Sequence, residues 1–497
     1  MDYISTRDSG YRVSAAQAIV SGLSPDGGLF LPESLPQFSL DEIATMAKTG
    51  YAGRAVAVLS RFLTDFTEEE LHDYVSRAYV REKFPPEAVA PVVRLDGKTH
   101  ILELFHGPTC AFKDFALQLL PFLLTASLRK TGCDKTVVIL VATSGDTGKA
   151  ALEGFADVPG AKICVFYPDG GTSNIQRLQM TTQAGENVMV FAAEGNFDDA
   201  QNGVKRIFTD RAFAEELAGK GYILSSANSI NWGRLVPQIA YYFSAYCELL
   251  NTGSVKLGDP VNFVVPTGNF GNILAAYFAK HCGLPVNKLV CASNKNNVLT
   301  DFITTGVYDR NRDFFVTTSP SMDILISSNL ERLLYLLCGR DDKILRGYMD
   351  SLAKTGKYTV GADVFAKLQS EFAAGCADDV KTAETIGEIW REDGYLCDTH
   401  TAVAVRVCRD YQAASGDGTP IVVASTASPF KFAGSVLPAA FGLTPEGGDF
   451  ALLAKLAELS GQPVPKALAG LRDKAERFSV TVEPAKMEEA VGGWLNG

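Results

Sequence analysis

A single lysine, Lys113, stands inside the strongly apolar stretch ILELFHGPTCAFKDFALQLLPFLL at residues 101–124. If residues 111–120 form a helix, one apolar stripe holds Phe112, Phe115, Ala116 and Leu119. Lys113 then lies on a second, largely apolar stripe, and the polar side consists only of Asp114 and Gln118. Burial would lower the pKa of the Lys113 amine because desolvation disfavours its charged form. A neutral amine can form a Schiff base with a carbonyl compound. The alternative is a lysine whose apolar stem packs on the protein while its amine reaches solvent.

A hydroxyl-rich loop, ATSGDTGKAA at residues 142–151, follows the apolar run TVVILVAT. It resembles a Walker A loop, but Thr143 stands at the first glycine position and Ala150 replaces the metal-binding hydroxyl, so ATP chemistry is disfavoured. Thr143, Ser144 and Thr147 would instead suit a carboxylate at a helix N-terminus. A simply capped helix start is the alternative.

Three further segments could bind anions. VVPTGNFGN (264–272) has two glycines that let the backbone approach a ligand, and it lacks the GxGxxG spacing of dinucleotide sites, so successive N–H groups would hold a monophosphate. SSANSINWGRLVPQ (225–238) combines one arginine with amide and hydroxyl donors, and the alternative is an internally bonded turn. ASTASPFKF (424–432) places Ser425, Thr426 and Lys431 after a strand, where an ordinary turn is the alternative.

The elements that carry these segments alternate between apolar strands and helical patterns from residue 96 onward. Such alternation predicts α/β architecture with mostly parallel, doubly covered sheets. Ligands of open α/β sheets bind at the carboxyl ends of the strands, where the segments 142–151, 264–272 and 424–432 lie. We expect a helical N-terminal domain (1–95), a first α/β portion (96–255), a second α/β portion (256–445) with a helical insertion near 320–415, and a C-terminal helical tail (446–497).

Composition narrows the functional class. The chain of 497 residues has 46% hydrophobic and 21% charged residues, which is ordinary for a globular protein. A net charge of −11 argues against a nucleic-acid partner. No apolar run reaches the roughly 20 residues of a membrane span, so no membrane partner is expected. Ten cysteines without a CxxC pair predict a reducing cytoplasmic location, and the histidines show no HExxH, so no metal site is expected.

The set and order of these motifs resemble the threonine synthase family, which belongs to the fold type II pyridoxal-phosphate enzymes. The matching text runs from about residue 3 to 440 and comprises YISTR (3–7), SPDGGLFLP (24–32), LFHGPTCAFKDFA (104–116), ATSGDTG (142–148), SANSINWGRLVPQ (226–238), PTGNFGN (266–272), DTHTAVA (398–404) and STASPFKF (425–432). The resemblance implies a tryptophan-synthase-β-like fold of two open sheet domains. It also implies the long bacterial and fungal form of the family.

The resemblance also implies residue roles. Lys113 would bind pyridoxal 5'-phosphate covalently and move protons. The cofactor phosphate would be held by Gly268, Asn269, Phe270, Gly271 and Asn272, and the pyridine nitrogen by Thr426. The substrate carboxylate would face Ser144, Asp146 and Thr147, and the substrate phosphate would face Asn228, Ser229, Asn231, Arg234 and Lys431. The roles of His106 and Thr109 are not set by the motif.

The activity implied by the resemblance is conversion of O-phospho-L-homoserine and water into L-threonine and phosphate, by a monomer or homodimer. Family members usually read STAHPAKF at the last motif, whereas this chain has Ser428 and Phe430 in place of the histidine and alanine. That departure keeps a sister activity open, a phospho-lyase that releases a 2-oxo acid, ammonia and phosphate. A catalytically silent metabolite-binding protein and a nucleotide-dependent transferase are weaker alternatives.

Overall fold

The architecture was analysed in a computed structural model that describes residues 1–143 and 145–496, apart from the side chain of Asp198. Ser144, one of the predicted carboxylate-binding residues, lies outside the described residues. No helix in the described part of the chain is both long and apolar enough to cross a membrane.

The N-terminal unit contains strands as well as the predicted helices. Its helices are α1 (Ala15–Ser21), α2 (Leu40–Ala47), α3 (Tyr51–Phe62) and α4 (Glu68–Ala78). Its strands β1 (Tyr3–Ser5), β2 (Arg12–Val13) and β3 (Phe30–Pro32) form an antiparallel sheet in the order β2-β1-β3. The predicted helical N-terminal unit is confirmed, and YISTR and SPDGGLFLP add short strands to it that the sequence did not predict. Buried runs this short carry no periodicity that separates a strand from a turn.

The larger parallel sheet draws strands from distant parts of the sequence. Its strands are β4 (Val92–Arg94), β5 (Thr99–Glu103), β10 (Val261–Pro266), β11 (Val286–Ser293), β14 (Phe372–Cys376) and β15 (Ile421–Ser425). Their spatial order is β14-β11-β10-β15-β5-β4, and all neighbours are parallel except β4 and β5. The predicted helical insertion thus contributes one strand, β14, to this sheet.

The second parallel sheet has five strands in the order β16-β8-β7-β6-β9. They are β6 (Thr136–Ala142), β7 (Ala161–Pro168), β8 (Val188–Ala193), β9 (Tyr222–Ser225) and β16 (Thr481–Val482). Strand β16 pairs with β8, so the C-terminal tail is not helical throughout. A short ribbon pairs β12 (Val307–Asp309) with β13 (Lys357–Thr359). The domain limits near 95, 255 and 445 stay predictions.

Helices pack against both sheets, and several of them begin just after a strand ends. They are α5 (Lys113–Leu117), α6 (Leu120–Lys130), α7 (Asp146–Phe155), α8 (Asn174–Thr181), α9 (Phe197–Thr209), α10 (Arg211–Gly219), α11 (Trp232–Asn251), α12 (Gly271–His281), α13 (Val298–Thr305), α14 (Leu330–Leu337), α15 (Asp342–Thr355), α16 (Ala362–Glu371), α17 (Asp379–Asp393), α18 (Thr399–Ser415), α19 (Ala433–Phe441), α20 (Asp449–Ser460), α21 (Lys466–Ala469) and α22 (Met487–Asn496). Helix α11 is buried along nearly its whole length. Three short 3-10 turns span Pro320–Met322, Pro429–Phe432 and Pro484–Lys486.

Candidate active site

Lys113 begins helix α5, and its amine lies among polar groups of the site. Its side chain is 11% exposed, and Nζ lies 3.7 Å from Asp146 Oδ2. The amine also donates a hydrogen bond of 3.4 Å to Ser321 Oγ and lies 5.0 Å from the centre of the Phe112 ring. Burial lowers the pKa of Lys113, while the Asp146 carboxylate opposes that shift. The predicted burial is confirmed, but the surroundings include a carboxylate and are not only apolar.

Asp114 anchors the loop that precedes this helix. Its carboxylate accepts hydrogen bonds from the N–H and the hydroxyl of Thr109, at 2.8 and 2.7 Å. Burial raises the pKa of Asp114 to about 6, although the bonds from Thr109 lower it. Gly107 leaves room for the carboxylate, since a Cβ there would lie 2.4 Å from Asp114 Oδ2. Asp114 and Gln118, the predicted polar side of this segment, are both buried.

Asp146 is the shared carboxylate of the site. Its Oδ1 accepts from Lys431 Nζ at 2.6 Å and from Gln176 Nε2 at 2.9 Å. Burial by itself would raise the pKa of Asp146. The positive charges of Lys431 and Lys113 lower it by more than burial raises it, so the pKa lies well below its usual range. Asp146 is therefore ionised and is the counter-ion of two buried lysines. The loop before it is closed by the Thr143 hydroxyl, which accepts from two glycine N–H groups.

The glycine loop at the end of β10 presents a row of free donors. The main-chain N–H groups of residues 268–272 donate to no described residue. Phe270 adopts a left-handed conformation (φ 63°), which turns the chain into helix α12. Successive N–H groups at a helix N-terminus form a concave anion site. Gly268 also lies against the 3-10 turn at 320–322, because a Cβ there would be 2.6 Å from Ser321 O.

The side-chain oxygen of Asn272 accepts two hydrogen bonds, whereas its side-chain nitrogen has no partner among the described residues. Its Oδ1 accepts from the hydroxyls of Tyr241 and Tyr242, at 2.5 and 2.6 Å. Those two donors fix the amide orientation, so Nδ2 must be the donor that faces away from them. Nδ2 is buried and has no partner among the described residues. An unpaired buried donor is costly and indicates a missing acceptor.

The cluster at 228–234 contains a second unpaired donor, which is cationic. Arg234 is buried, its Nη1 donates to Ala227 O at 2.8 Å, and its Nε has no partner among the described residues. Burial lowers the pKa of Arg234 to about 10, and its charge also lowers the pKa of Lys113. No side-chain hydrogen bond joins Asn228 or Ser229 to another described residue, whereas Asn231 uses its side chain to cap helix α11.

Thr426 and Lys431 follow strand β15, as the sequence predicts. Thr426 is 6% exposed, and its main-chain oxygen accepts from Phe112 N–H at 2.9 Å, next to Lys113. The unusual residues nearby serve the turn, since the Ser428 hydroxyl caps it and Phe430 is buried. The turn still delivers Lys431 to Asp146, so the departures at 428 and 430 leave that contact in place.

Sequence reasoning missed the segment 320–332, which it assigned to a helical insertion. Ser321 touches Lys113, and Asn329 Nδ2 donates to Asn269 O and Ser229 O, at 3.1 and 3.2 Å. One side chain thus joins both predicted anion loops. Glu331 also forms a bidentate pair with Arg7 of the YISTR motif. In the sequence, this segment differs from its helical surroundings only by several serines. Its role in the site could not be predicted, because its contacts with the site are long-range.

These residues fit pyridoxal phosphate. The cofactor offers an aldehyde for the Lys113 amine and a phosphate for the free N–H groups of residues 268–272. The Thr426 hydroxyl, which bonds to no described residue, is a neutral partner for the ring nitrogen. The cofactor contacts named above do not use the unpaired Nε of Arg234. The site can therefore hold a second anion.

Comparison with known proteins agrees with this geometry. Residues 2–79 match the family described as threonine synthase N terminus, residues 84–427 match pyridoxal-phosphate dependent enzyme, and residues 401–491 match threonine synthase, C-terminal. Threonine synthase of Pseudomonas aeruginosa is 42% identical over 463 residues, covering 92% of this chain and 93% of that protein. Human threonine synthase-like 1 is 41% identical over 456 residues, which cover 88% of this chain but 60% of that protein.

A solved structure gives the same result. The PLP-bound threonine synthase from Brucella melitensis has a TM-score of 0.88 and 38% identity, with 100% of each chain covered. The predicted fold class and the predicted cofactor, pyridoxal phosphate, are thereby confirmed. The chain belongs to the threonine synthase family of pyridoxal-phosphate-dependent enzymes.

Proposed function

We propose that this enzyme converts O-phospho-L-homoserine and water into L-threonine and phosphate, with Lys113 as the catalytic residue. The observation that carries the proposal is a second set of anion donors around Arg234, besides those at 268–272. The cofactor phosphate needs only one of these sets. A substrate that brings its own phosphate accounts for the other.

For the cofactor, we assign the N–H groups of Gly268, Asn269, Phe270, Gly271 and Asn272 to the phosphate, and the Thr426 hydroxyl to the ring nitrogen. When bound, the cofactor supplies an electron sink that acidifies the carbon atoms next to the substrate amino group. A neutral hydroxyl at the ring nitrogen leaves that nitrogen less protonated than a carboxylate would.

For the substrate, we assign the carboxylate to Ser144, Asp146 and Thr147. Asp146 would act there through its main-chain N–H at the start of helix α7, since its side chain is paired with Lys431. The substrate phosphate would contact Asn228, Ser229 and Arg234. Asn231 would act mainly by holding the start of helix α11, and Lys431 by neutralising Asp146 beside the substrate.

The proton steps follow from the position of the amine. Lys113 as a free amine takes a proton from the substrate, and Asp146 at 3.7 Å stabilises the resulting ammonium group. The phosphate then leaves towards Arg234, whose buried guanidinium stabilises the leaving dianion. Water must add only after that step, so the segment 320–332 over the site would keep bulk water out beforehand.

Product analysis tests this proposal. The purified enzyme with pyridoxal phosphate should form threonine and inorganic phosphate in equal amounts from O-phosphohomoserine. Lys113→Ala should abolish both products, whereas Lys130→Ala, on the surface beside Glu70, should not. Absence of phosphate release by the loaded wild-type enzyme would contradict the proposal.

A second candidate is the phospho-lyase activity that the departures at Ser428 and Phe430 left open. It is less favoured, because threonine synthases such as that of Pseudomonas aeruginosa match this chain over nearly their whole length. The two candidates share every step up to loss of phosphate, so only the products separate them. 2-Oxobutyrate and ammonia as main products would support this candidate. We further propose a monomer or homodimer in the cytoplasm, without nucleic-acid or membrane partners.

A further inference from the structure

The 3-10 turn Pro320–Met322 brings one hydroxyl to the reactive amine. Ser321 Oγ accepts from Lys113 Nζ at 3.4 Å and donates to Asp146 Oδ2 at 3.3 Å. This hydroxyl bonds to no other described residue. It therefore contributes nothing to the turn itself, and both of its partners are charged groups of the site.

The same turn is held by a buried histidine. The main-chain N–H of Ser321 donates to His400 Nε2 at 3.2 Å, and His400 Nδ1 lies 2.7 Å from Asp398 Oδ2. Because Nε2 accepts a hydrogen bond, the ring proton must be on Nδ1 and must point to Asp398. Both side chains are at most 2% exposed, so water does not compete for these bonds.

Asp398 also stabilises the end of the strand that precedes Thr426. Its Oδ1 accepts from the N–H and the hydroxyl of Thr401. The Thr401 hydroxyl lies 2.9 Å from Ser425 Oγ, one residue before Thr426. One carboxylate thus connects the Ser321 turn with the predicted contact to the cofactor ring.

We propose that Ser321 is a further catalytic residue, and that His400 and Asp398 are positioning residues that hold it against Lys113. The proposal rests on the proposed function. The Ser321 hydroxyl orients the free amine and, when Lys113 takes up a substrate proton, accepts a hydrogen bond from the new ammonium group. Ser321 keeps its own proton, which points to Asp146, so one proton moves from carbon to Nζ.

Three other charged groups act on Lys113. Asp146 favours the ammonium form, whereas Lys431 and Arg234 disfavour it. All three are unchanged in a Ser321 or His400 variant. A difference in the protonation of Lys113 between such variants and the wild type would therefore report on the hydroxyl, acting directly or through the hydrogen bond that it donates to Asp146.

The test uses the apoenzyme and pyridoxal phosphate. The rate of covalent loading, followed by visible absorption, is measured against pH, because only the neutral amine reacts. Ser321→Ala should lower the pH midpoint by about 0.5 to 1 unit, since it removes an acceptor that stabilises the ammonium group. Ser319→Ala, immediately before the turn and with its hydroxyl bonded to Asn294, should leave the midpoint unchanged.

Conservative substitution tests the positioning role. His400→Gln, whose side-chain oxygen can still accept the Ser321 N–H, should keep the wild-type midpoint, and His400→Leu should reproduce the Ser321→Ala shift. Phosphate release should fall roughly ten-fold in Ser321→Ala and His400→Leu. An unchanged midpoint in Ser321→Ala, with a wild-type enzyme that releases phosphate, would overturn the inference. A wild-type enzyme that loads but releases no phosphate would instead overturn the proposed function.

Discussion

Gly268 and Gly271 stand in the same loop, yet the structure predicts opposite responses to alanine. A Cβ at position 268 would lie 2.6 Å from Ser321 O, which is a main-chain atom and cannot rotate away. A Cβ at position 271 would meet its nearest atom, Asn329 Nδ2, at 3.5 Å, an ordinary contact. Gly271→Ala is therefore a matched control for Gly268→Ala.

The size of the effect follows from the overlap. Overpacking of a well-packed region costs about 1 to 3 kcal/mol. For a chain of this size, we expect the Tm of apo Gly268→Ala to fall by roughly 1 to 3 °C. Gly271 is the first residue of helix α12, so alanine there should leave the apo Tm unchanged or raise it slightly.

Calorimetry of the cofactor-free variants is the assay, because any clash with a bound phosphate is then absent. A titration with pyridoxal phosphate would follow, and Gly268→Ala should bind the cofactor more weakly because the Ser321 turn is displaced. Equal apo Tm values for Gly268→Ala and Gly271→Ala would refute the reasoning. They would mean that the segment 320–332 does not pack on the glycine loop.

Three further predictions follow from the contacts of the site. Arg234→Gln should raise the KM for O-phosphohomoserine at least ten-fold, with a smaller change in kcat, because a hydrogen bond to a charged group typically contributes about 1.5 to 3 kcal/mol. An unchanged KM in steady-state kinetics would contradict the role of Arg234. Asp146→Asn should move the pH midpoint of covalent loading of Lys113 downward, because Asp146 stabilises the ammonium form; an upward shift would show that the carboxylate does not act on this amine. Glu331→Gln should lower the free energy of unfolding by about 1 to 3 kcal/mol, because it leaves Arg7 without its bidentate partner. Chemical denaturation measures this change, and adding Arg7→Gln to Glu331→Gln should lower the free energy of unfolding little further.

Much of the sheet architecture was predictable, and the failures have local causes. The apolar runs that became β6, β10 and β15 were identified because strands of doubly covered sheets are apolar throughout. The strands β1 and β3 were missed because they are three residues long and lie in a unit whose other segments are helical. Strand β14 was missed because FAAGC reads as the continuation of a helix.

Some residues of the candidate site could likewise be predicted from local sequence, and others could not. The sequence alone predicted the reactive lysine, the glycine loop and the Arg234 cluster, because each is a local pattern at a strand end or a helix start. Only the tertiary structure decided that Asp146 is shared by two lysines, and that Ser321 and His400 complete the site. Lys113 and Asp146 are 33 residues apart in the chain, and the other pairs are separated by 79 to 285 residues. Contacts at that separation depend on how the two sheets and their covering segments pack, and no local periodicity encodes that packing.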